Sequence, residues 1–197
     1  MTNNISCVIL SGGKSSRMGE DKSLMLVKNS TTMIEYLYKK LTPIFDTVYI
    51  SAKTDKFKKL QLPNKQLILD IDQIISSPMI ALKTIFQTLK DKKVFIITVD
   101  TPFVKKETIE KLIKNSAGFS ITIAKDSDNN THNLCGVFSR DILPTIQEMI
   151  KQDIHKINYM IKNSKNYQEI VFENSEQFLN INTQESYEKA KTLLKKL

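Results

Sequence analysis

The sequence has few cysteines and no long apolar run, and both shortages narrow the class of protein. Only 2 of its 197 residues are cysteine. Cys7 and Cys135 lie in apolar stretches, and neither belongs to a C-x-x-C pair or a Cys/His metal spacing, so we expect buried thiols in a reducing compartment. No apolar stretch approaches the roughly 18 residues of a membrane span, and the first residues lack the pattern of a signal peptide. We therefore expect a cytoplasmic protein with no membrane partner.

Acidic residues are fewer than basic ones, with 21 Asp and Glu against 29 Lys and Arg and a formal net charge of +8. Such a charge suits a polynucleotide ligand. The lysines, however, are scattered as pairs such as Lys39-Lys40, and aromatic residues that would stack on bases do not alternate with them. We therefore expect no nucleic-acid partner. The excess of positive charge favours small anionic substrates instead.

Strand and helix patterns alternate from end to end of the chain. Apolar, β-branched runs predict strands at residues 5–10, 47–52, 66–69, 94–99, 119–124, 134–139 and 169–172. Helical patterns lie between them, beginning at a capping box (Thr32 to Glu35), at Ser77-Pro78, at residue 105, near Asp141, near His155 and at about residue 184. This alternation predicts an α/β fold with a mostly parallel central sheet covered by helices on both faces.

Polar segments follow three of the predicted strands. They are the loop after Leu10, Asp70, and Asp100 with Thr101-Pro102. In a parallel sheet the carboxyl ends of the strands meet at one edge, and ligands bind there near the point where the strand order reverses. We therefore expect these three sites to lie around one crevice.

The loop after Leu10 is rich in features that bind phosphate. It reads L-S-G-G-K-S-S-R-M-G-E-D-K. Gly12 and Gly13 allow the backbone N–H groups to approach an anion closely, and Lys14, Arg17 and Lys22 supply the positive charge that a nucleoside triphosphate needs. The loop contains neither a Walker A motif nor the dinucleotide fingerprint G-x-G-x-x-G. The glycine pair by itself also suits a structural turn, but the three cations that follow favour a phosphate loop of another kind.

The same run resembles the signature L-x-G-G-x-S-x-R-M-G-x-D-K of the molybdenum cofactor guanylyltransferases, the MobA family of the nucleotide-diphospho-sugar transferase superfamily. That family also has an acidic residue after its third strand, a D-x-P after its central strand and an N-x-N-T stretch near its C-terminus. Asp70, Asp100-Thr101-Pro102 and residues 180–183 match these in order. The chain departs from the pattern at residues 76–82, where the family shows a G-P-L-A-G type turn.

The resemblance implies a Rossmann-like three-layer α/β/α sandwich. It implies that GMP is transferred from GTP to the terminal phosphate of molybdopterin, with release of diphosphate and a requirement for Mg²⁺. It implies one nucleotidyltransferase domain over residues 1–197, in which about 1–115 bind the nucleotide and about 116–197 complete the sheet and the pterin side. GTP and molybdopterin are the expected partners, with cofactor-maturation proteins and apo-molybdoenzymes as further candidates.

The resemblance also assigns roles to residues. Lys22, Arg17 and Asp100 are the expected catalytic residues, and Asp100 is the expected metal ligand with Asn182 as a candidate second one. The expected nucleotide-binding residues are Leu10, Ser11, Gly12, Gly13, Lys22, Asp70 and Asp100. On the second-substrate side the candidates are His132, Asn180 and Asn182.

Other interpretations of these residues and of the chain stay open at this point. Asp70 and Asp100 also suit strand-end turns, His132 suits an exposed loop, and Asn180 and Asn182 suit turns before the last helix. The main alternative function is another nucleotidyltransferase of the same fold, specific for cytidylate or for a sugar phosphate. A catalytically silent protein that binds nucleotide or molybdopterin is a further alternative.

Overall fold

The computed structural model describes residues 5–12, 21–28, 30–58, 60, 62, 66–72 and 74–195. Gly13, Lys14 and Arg17, which belong to the predicted phosphate loop, lie outside the described residues.

Nine strands and six α-helices make up the described chain. The strands are β1 (Ser6–Leu10), β2 (Leu26–Lys28), β3 (Thr31–Thr32), β4 (Val48–Ala52), β5 (Leu67–Leu69), β6 (Lys93–Thr98), β7 (Ile121–Asp126), β8 (Thr131–Ser139) and β9 (Tyr167–Phe172). The helices are α1 (Met33–Leu41), α2 (Pro78–Thr88), α3 (Lys106–Asn115), α4 (Leu143–Lys151), α5 (Ile157–Asn163) and α6 (Gln184–Lys195).

Local sequence explains where the first two helices begin. Thr32 caps α1: its hydroxyl accepts from the N–H of Glu35 at 3.4 Å, and the Glu35 carboxylate accepts from the Thr32 N–H at 2.9 Å. Ser77 caps α2 by accepting from the N–H of Ile80 at 3.2 Å, and Pro78 takes the first helical position. Both starts agree with the prediction from the capping box and the Ser-Pro pair.

Seven strands form the central sheet, in the order β5-β4-β1-β6-β8-β7-β9. All neighbours are parallel except β8, which runs antiparallel to both β6 and β7. After β1 the chain builds β4 and β5 on one side and then returns to place β6 on the other. The strand order therefore reverses at β1 and β6, and a crevice for ligand is expected beyond the carboxyl ends of these two strands.

Apolar cores cover both faces of the sheet. Cys7 and Ile9 of β1 face one core, together with apolar residues of α1, α3 and α6. Val8 and Leu10 face the other, with α2, α4 and α5. Alternate residues of a strand point to opposite faces, so one buried strand serves both cores. The result is the predicted three-layer α/β/α sandwich with a mostly parallel sheet.

Two features of the fold differ from the sequence prediction. The strand expected at residues 134–139 begins at Thr131, so His132 and Asn133 lie on β8 and not in a polar loop. Pairing with β7 across a short turn extends this strand beyond its apolar part. The small β2–β3 pair was not predicted, because two strands of two and three residues leave little pattern in the sequence.

Every helix in the described ranges lacks the combination of length and apolar character needed to cross a membrane.

Candidate active site

The segment that follows β1 forms one wall of a cavity of about 130 Å³ at the carboxyl edge of the sheet. Leu10, Ser11 and Gly12 line it. Main-chain hydrogen bonds hold this segment between its neighbours: Ser11 N–H donates to Ser51 O at 2.8 Å, and Val99 N–H donates to Leu10 O at 3.0 Å. The backbone of the loop start is therefore fixed by both adjacent strands.

Ser11 has an unusual environment within this segment. The residue is 4% exposed, and its Oγ is buried without a hydrogen-bond partner among the described residues. A buried hydroxyl without a partner costs free energy, and such groups in native structures call for an explanation. Because Ser11 lines the cavity, a bound polar molecule would supply the missing hydrogen bond.

Lys22, Asp100 and Asn182 come together from three distant parts of the chain. Lys22 Nζ lies 3.7 Å from Asp100 Oδ2 and donates a hydrogen bond to Asn182 Oδ1. The N–H of Ile181 donates to the main-chain oxygen of Asp100 at 2.9 Å, which holds the segment before α6 against the end of β6. The Lys22 and Asp100 side chains remain 17% and 23% exposed, so both can reach a ligand in the cavity.

Asn180 lies beside this group and is held by a hydroxyl chain. Thr101 Oγ1 donates to Asn180 Oδ1 at 3.1 Å and lies 2.7 Å from the Thr98 hydroxyl. Asn180 and Asn182 also line a second cavity, of about 270 Å³, that shares Thr98 and Asp100 with the first. The two cavities are therefore adjacent, and Asp100 lies in the wall that they share.

Asp70 lies after β5, on the other side of the loop start. It is 6% exposed, and Ser51 Oγ lies 3.5 Å from its Oδ1. Burial raises the pKa of Asp70, and this outweighs the Ser51 hydrogen bond and the charge of Lys53, which lower it. A Cβ atom added to Gly12 would lie 3.6 Å from Asp70 Oδ2, so the backbone at position 12 passes close to this carboxylate.

His132 lines the second cavity and is oriented by two neighbours. Its Nε2 lies 3.0 Å from Asp126 Oδ2, and its ring stacks on Phe178 with centroids 4.2 Å apart and 15° between the planes. Burial alone would raise the pKa of Asp126, but hydrogen bonds from Asn130 and His132 lower it overall. The side chain of His132 is 12% exposed, so it is more buried than the expected loop histidine.

Residues 76–82 also contribute to the site although they depart from the family's glycine-rich turn. Pro78 and Ala81 line the first cavity, and Ser76 lines a third one of about 150 Å³ that shares Ser11, Gly12 and Asp21 with it. The start of α2 therefore faces the same crevice as the loop after β1. His155 lies behind it, with Nδ1 3.2 Å from Ser77 Oγ.

The donor groups at Asp100 resemble those of a magnesium site completed by substrate. Among the described residues, no group of three or more His, Cys, Asp and Glu side chains converges to hold a metal ion. Mg²⁺ in nucleotide-dependent enzymes takes one or two protein carboxylates, and substrate phosphates and water supply the remaining ligands. The carboxylate of Asp100 and the amide oxygen of Asn182 fit that requirement.

Sequence reasoning gave no role to Asp21 or Lys56. Asp21 Oδ1 accepts from the Ser23 N–H at 3.0 Å and so caps the 3₁₀ turn (Lys22–Leu24) that carries Lys22. Lys56 pairs with Asp21 and with the main chain of Ser11. Aspartate is a favoured N-cap residue, so the sequence at Asp21 could have predicted the start of this turn. For Lys56 the sequence held no signal, because its partners are distant along the chain.

The two cysteines are buried, as predicted. Burial raises the pKa of the Cys135 thiol to about 12. The pKa of the Cys7 thiol is also raised, mainly by burial and to a smaller extent by the neighbouring Cys135. Both thiols are therefore protonated, and neither is a nucleophile at neutral pH.

Comparison with known proteins agrees with this geometry. Residues 7–167 match the family model of the MobA-like NTP transferase domain. A molybdenum cofactor guanylyltransferase of Campylobacter jejuni subsp. doylei is 37% identical over 195 residues, covering 98% of each chain. Another from Helicobacter pylori (strain 26695) is 36% identical over 200 residues, covering 98% of this chain and 94% of its own.

Solved structures show the same architecture. A protein of Aquifex aeolicus is 34% identical and superposes with a TM-score of 0.75 over 91% of this chain and 94% of its own. Molybdopterin-guanine dinucleotide biosynthesis protein A from Archaeoglobus fulgidus has a TM-score of 0.82 over 98% of this chain and 100% of its own, at 22% identity. The latter likeness supports the fold alone. By its matched domain and its relatives over nearly full length, the chain belongs to the MobA-like NTP transferase family, together with the molybdenum cofactor guanylyltransferases.

Proposed function

We propose that this protein transfers GMP from GTP to the terminal phosphate of molybdopterin, releasing diphosphate. Family membership supports the reaction class, since relatives at 36–37% identity carry the name molybdenum cofactor guanylyltransferase. The observation that carries the proposal is the convergence of Lys22, Asp100 and Asn182 at the junction of two cavities. One cavity suits the nucleotide and the other suits the second substrate.

In the proposed reaction an oxygen of the molybdopterin phosphate attacks the α-phosphorus of GTP. The bond between that phosphorus and the bridging oxygen to the β-phosphorus breaks, and diphosphate leaves with the electron pair. The attacking phosphate is already anionic, so the enzyme needs no general base. Its task is to hold the two phosphates in line and to neutralise the charge that develops on the leaving group.

Residues at the first cavity fit this task. Lys22 places a positive charge beside Asp100, where it can neutralise charge on the leaving diphosphate. Arg17, by resemblance, adds a second cation, whose guanidinium group can donate two hydrogen bonds to one phosphate. Asp100 and Asn182 would hold Mg²⁺, which supplies charge neutralisation on the phosphate oxygens when bound.

The opposite end of the nucleotide has a candidate site at Asp70. A carboxylate accepts hydrogen bonds from the N1–H and the exocyclic amine of guanine, whereas cytosine and adenine lack that pair of donors. Ser11 Oγ, buried without a partner among the described residues, and the main chain of Leu10 and Gly12 would contact base and ribose. Specificity for guanine thus rests on Asp70 in this proposal.

The second cavity would hold molybdopterin. Its lining is polar, with His132, Asn180 and Asn182 facing a space of about 270 Å³. Amide and imidazole groups suit a pterin, whose edge carries both donors and acceptors. In this arrangement residues from about 1–115 bind the nucleotide, and residues from about 116–197 complete the second-substrate side.

A calorimetric titration with GTP, CTP and ATP, each with and without Mg²⁺, tests the proposal. We expect tight binding of GTP alone, strengthened by Mg²⁺ and lost in Lys22→Ala, and then diphosphate release when molybdopterin is added. A preference for CTP would assign the protein to the cytidylyl branch. Binding without diphosphate release would make it a silent nucleotide-binding protein, and no nucleotide binding would refute the enzyme interpretation.

A further inference from the structure

Lys56 makes two contacts that join the flanks of the phosphate loop. Its Nζ donates to the main-chain oxygen of Ser11 at 2.9 Å and to Asp21 Oδ2 at 2.5 Å. Lys56 lies in the connection between β4 and β5, outside the loop itself. Ser11 precedes residues 13–20 and Asp21 follows them, so one ammonium group fastens the chain on both sides of that stretch.

The carboxylate of Asp21 links Lys56 to the catalytic lysine. Oδ2 accepts from Lys56, while Oδ1 accepts from both the N–H and the hydroxyl of Ser23, at 3.0 and 2.6 Å. Ser23 is fully buried and belongs to the 3₁₀ turn that presents Lys22 to Asp100. Whatever holds Asp21 in place therefore also holds the turn from which Lys22 extends.

Charge gives Lys56 a second effect on the same site. Asp21 lines both the first and the third cavity, next to the space where we place an anionic nucleotide. Burial would raise the pKa of Asp21, but hydrogen bonds from Lys56 and Ser23 lower it overall, so this carboxylate is ionised at neutral pH. Without a cation beside it, an ionised carboxylate at this point repels a triphosphate.

We propose that Lys56 is a positioning residue for nucleotide binding, which acts through Asp21 by neutralising its carboxylate and by tying it to the main chain of Ser11. The inference rests on the proposed function, since its readout is the binding of GTP. Lys56 belongs to none of the motifs that resemble the family's signature. Its effect falls on affinity for the nucleotide more than on the rate of the chemical step, because without Lys56 the turn keeps the Ser23 contacts to Asp21 and Lys22 keeps its contacts with Asp100 and Asn182.

The test compares Lys56→Met with Lys58→Met, a matched control on the same connection whose side chain is exposed. Affinity for GTP with Mg²⁺ is measured by calorimetry, and kcat and KM by diphosphate release. We expect Lys56→Met to raise the Kd and KM for GTP about tenfold and to change kcat by less than about threefold. Lys58→Met should stay within about twofold of the wild type, as is usual for exposed charges.

Two further variants separate action through Asp21 from direct contact with phosphate. Lys56→Arg keeps the charge and should recover most of the affinity. Asp21→Asn removes the negative charge that Lys56 neutralises, and asparagine can still cap the 3₁₀ turn that carries Lys22. The double variant Asp21→Asn/Lys56→Met should therefore bind GTP more tightly than Lys56→Met alone. If the double variant binds no better than Lys56→Met, Lys56 does not act through Asp21 and the inference is overturned.

The remaining outcomes are distinct. Equal GTP affinity in Lys56→Met and Lys58→Met, with a wild type that binds GTP, overturns the role of Lys56 and leaves the proposed function standing. A wild type that binds no GTP overturns both. Should Lys56→Met not fold, as judged by circular dichroism, Lys56→Gln and Lys56→Arg provide the same comparison, and loss of affinity in the first but not in the second supports the inference.

Discussion

Lys22 and Asp100, which are distant in the sequence, form an ion pair with Nζ 3.7 Å from Oδ2. The pair lies where the carboxyl ends of β1 and β6 meet. A cation and a carboxylate at this distance hold each other's orientation in the free protein. Both remain partly exposed toward the cavity, so each can exchange its partner for a phosphate or a metal ion when the nucleotide enters.

Asp100→Asn should reduce turnover about 100-fold or more, because it removes the carboxylate proposed to hold Mg²⁺ and with it much of the charge stabilisation at the phosphates. Stability should change little, since Lys22 keeps its hydrogen bond to Asn182 and the Asp100 side chain is partly exposed. Diphosphate release at several Mg²⁺ concentrations measures the effect. Asp46→Asn, at an exposed position, is the matched control. Wild-type turnover in Asp100→Asn would remove Asp100 from the site.

Binding of GTP should weaken on acidification, and the loss should begin at a higher pH than the one at which an ordinary aspartate is protonated. Burial raises the pKa of Asp70, so this carboxyl gains its proton while carboxyls near the usual value of about 3.9 are still ionised. The protonated form accepts fewer hydrogen bonds from guanine. Calorimetry from neutral pH down to the ordinary aspartate pKa of about 3.9 should show this loss in the wild type.

The Asp70→Asn variant is the control for that titration. It should bind GTP more weakly at neutral pH and lose the acid-dependent part of the profile, because its amide does not titrate. An unchanged pH profile in Asp70→Asn would show that another group is responsible.

Asp126→Asn should destabilise the fold by about 2 kcal/mol at neutral pH, the usual cost of disrupting hydrogen bonds to a buried charged group. The carboxylate accepts from the Asn130 N–H at 2.8 Å and lies 3.0 Å from His132 Nε2. Its pKa is lowered in the folded state, so the stabilisation is present above the unfolded-state pKa and is lost as pH falls through the folded-state pKa.

Urea unfolding at neutral and at acidic pH tests this sign. The difference between wild type and Asp126→Asn should shrink as the pH falls below the ordinary aspartate pKa of about 3.9. Asp128→Asn changes the same residue type two positions away, where the side chain is exposed, and should have little effect at either pH. A difference that grows on acidification would contradict the assignment.

Gly136→Ala should destabilise the protein by about 3 kcal/mol or more, through overpacking at the centre of the sheet. A Cβ atom at this position would lie 2.1 Å from the main-chain oxygen of Thr122 and 2.8 Å from the Cα of Ile123. Gly136 of β8 lies between β6 and β7, next to an irregularity in the β7 pairing. The backbones of β7 and β8 cannot move apart without breaking the hydrogen bonds that pair the two strands.

Gly118→Ala is the comparison for that variant. Gly118 has a φ of +80° but nothing within 4 Å of the added Cβ atom, so only the backbone conformation is penalised, by about 1 kcal/mol. Chemical denaturation of both variants gives the difference. Equal losses would mean that the close approach at Gly136 is relieved at little cost.

Much of the fold could be predicted from the sequence because local rules act on neighbouring residues. The capping box at Thr32, the Ser77-Pro78 start and the buried run of β6 all depend on residues within a few positions of one another. Where pairing with the neighbouring β7 extended a strand beyond its apolar residues, prediction was wrong: Thr131 to Asn133 are polar, yet they form the beginning of β8.

The candidate site divides in the same way. The sequence placed the loop after Leu10, Asp70 and Asp100 at the carboxyl ends of strands. In the structure, Ser11 and Gly12 at the start of that loop and Asp100 line cavities at this edge, and Asp70 lies beside Gly12 without lining them. The roles assigned to these residues stay predictions. Arg17 and Gly13, which resemblance places among the phosphate contacts, lie outside the described residues.

The sequence by itself determined the class of fold, the order of its elements and the edge of the sheet at which polar residues gather, because periodicity, capping and strand ends are local properties. Only the tertiary structure decided which of those residues meet. The Lys22 to Asn182 contact and the bridge from Lys56 to Ser11 and Asp21 join segments distant in sequence. Such contacts depend on how strands are ordered and how loops cross the sheet edge, and no local pattern encodes a distance between them.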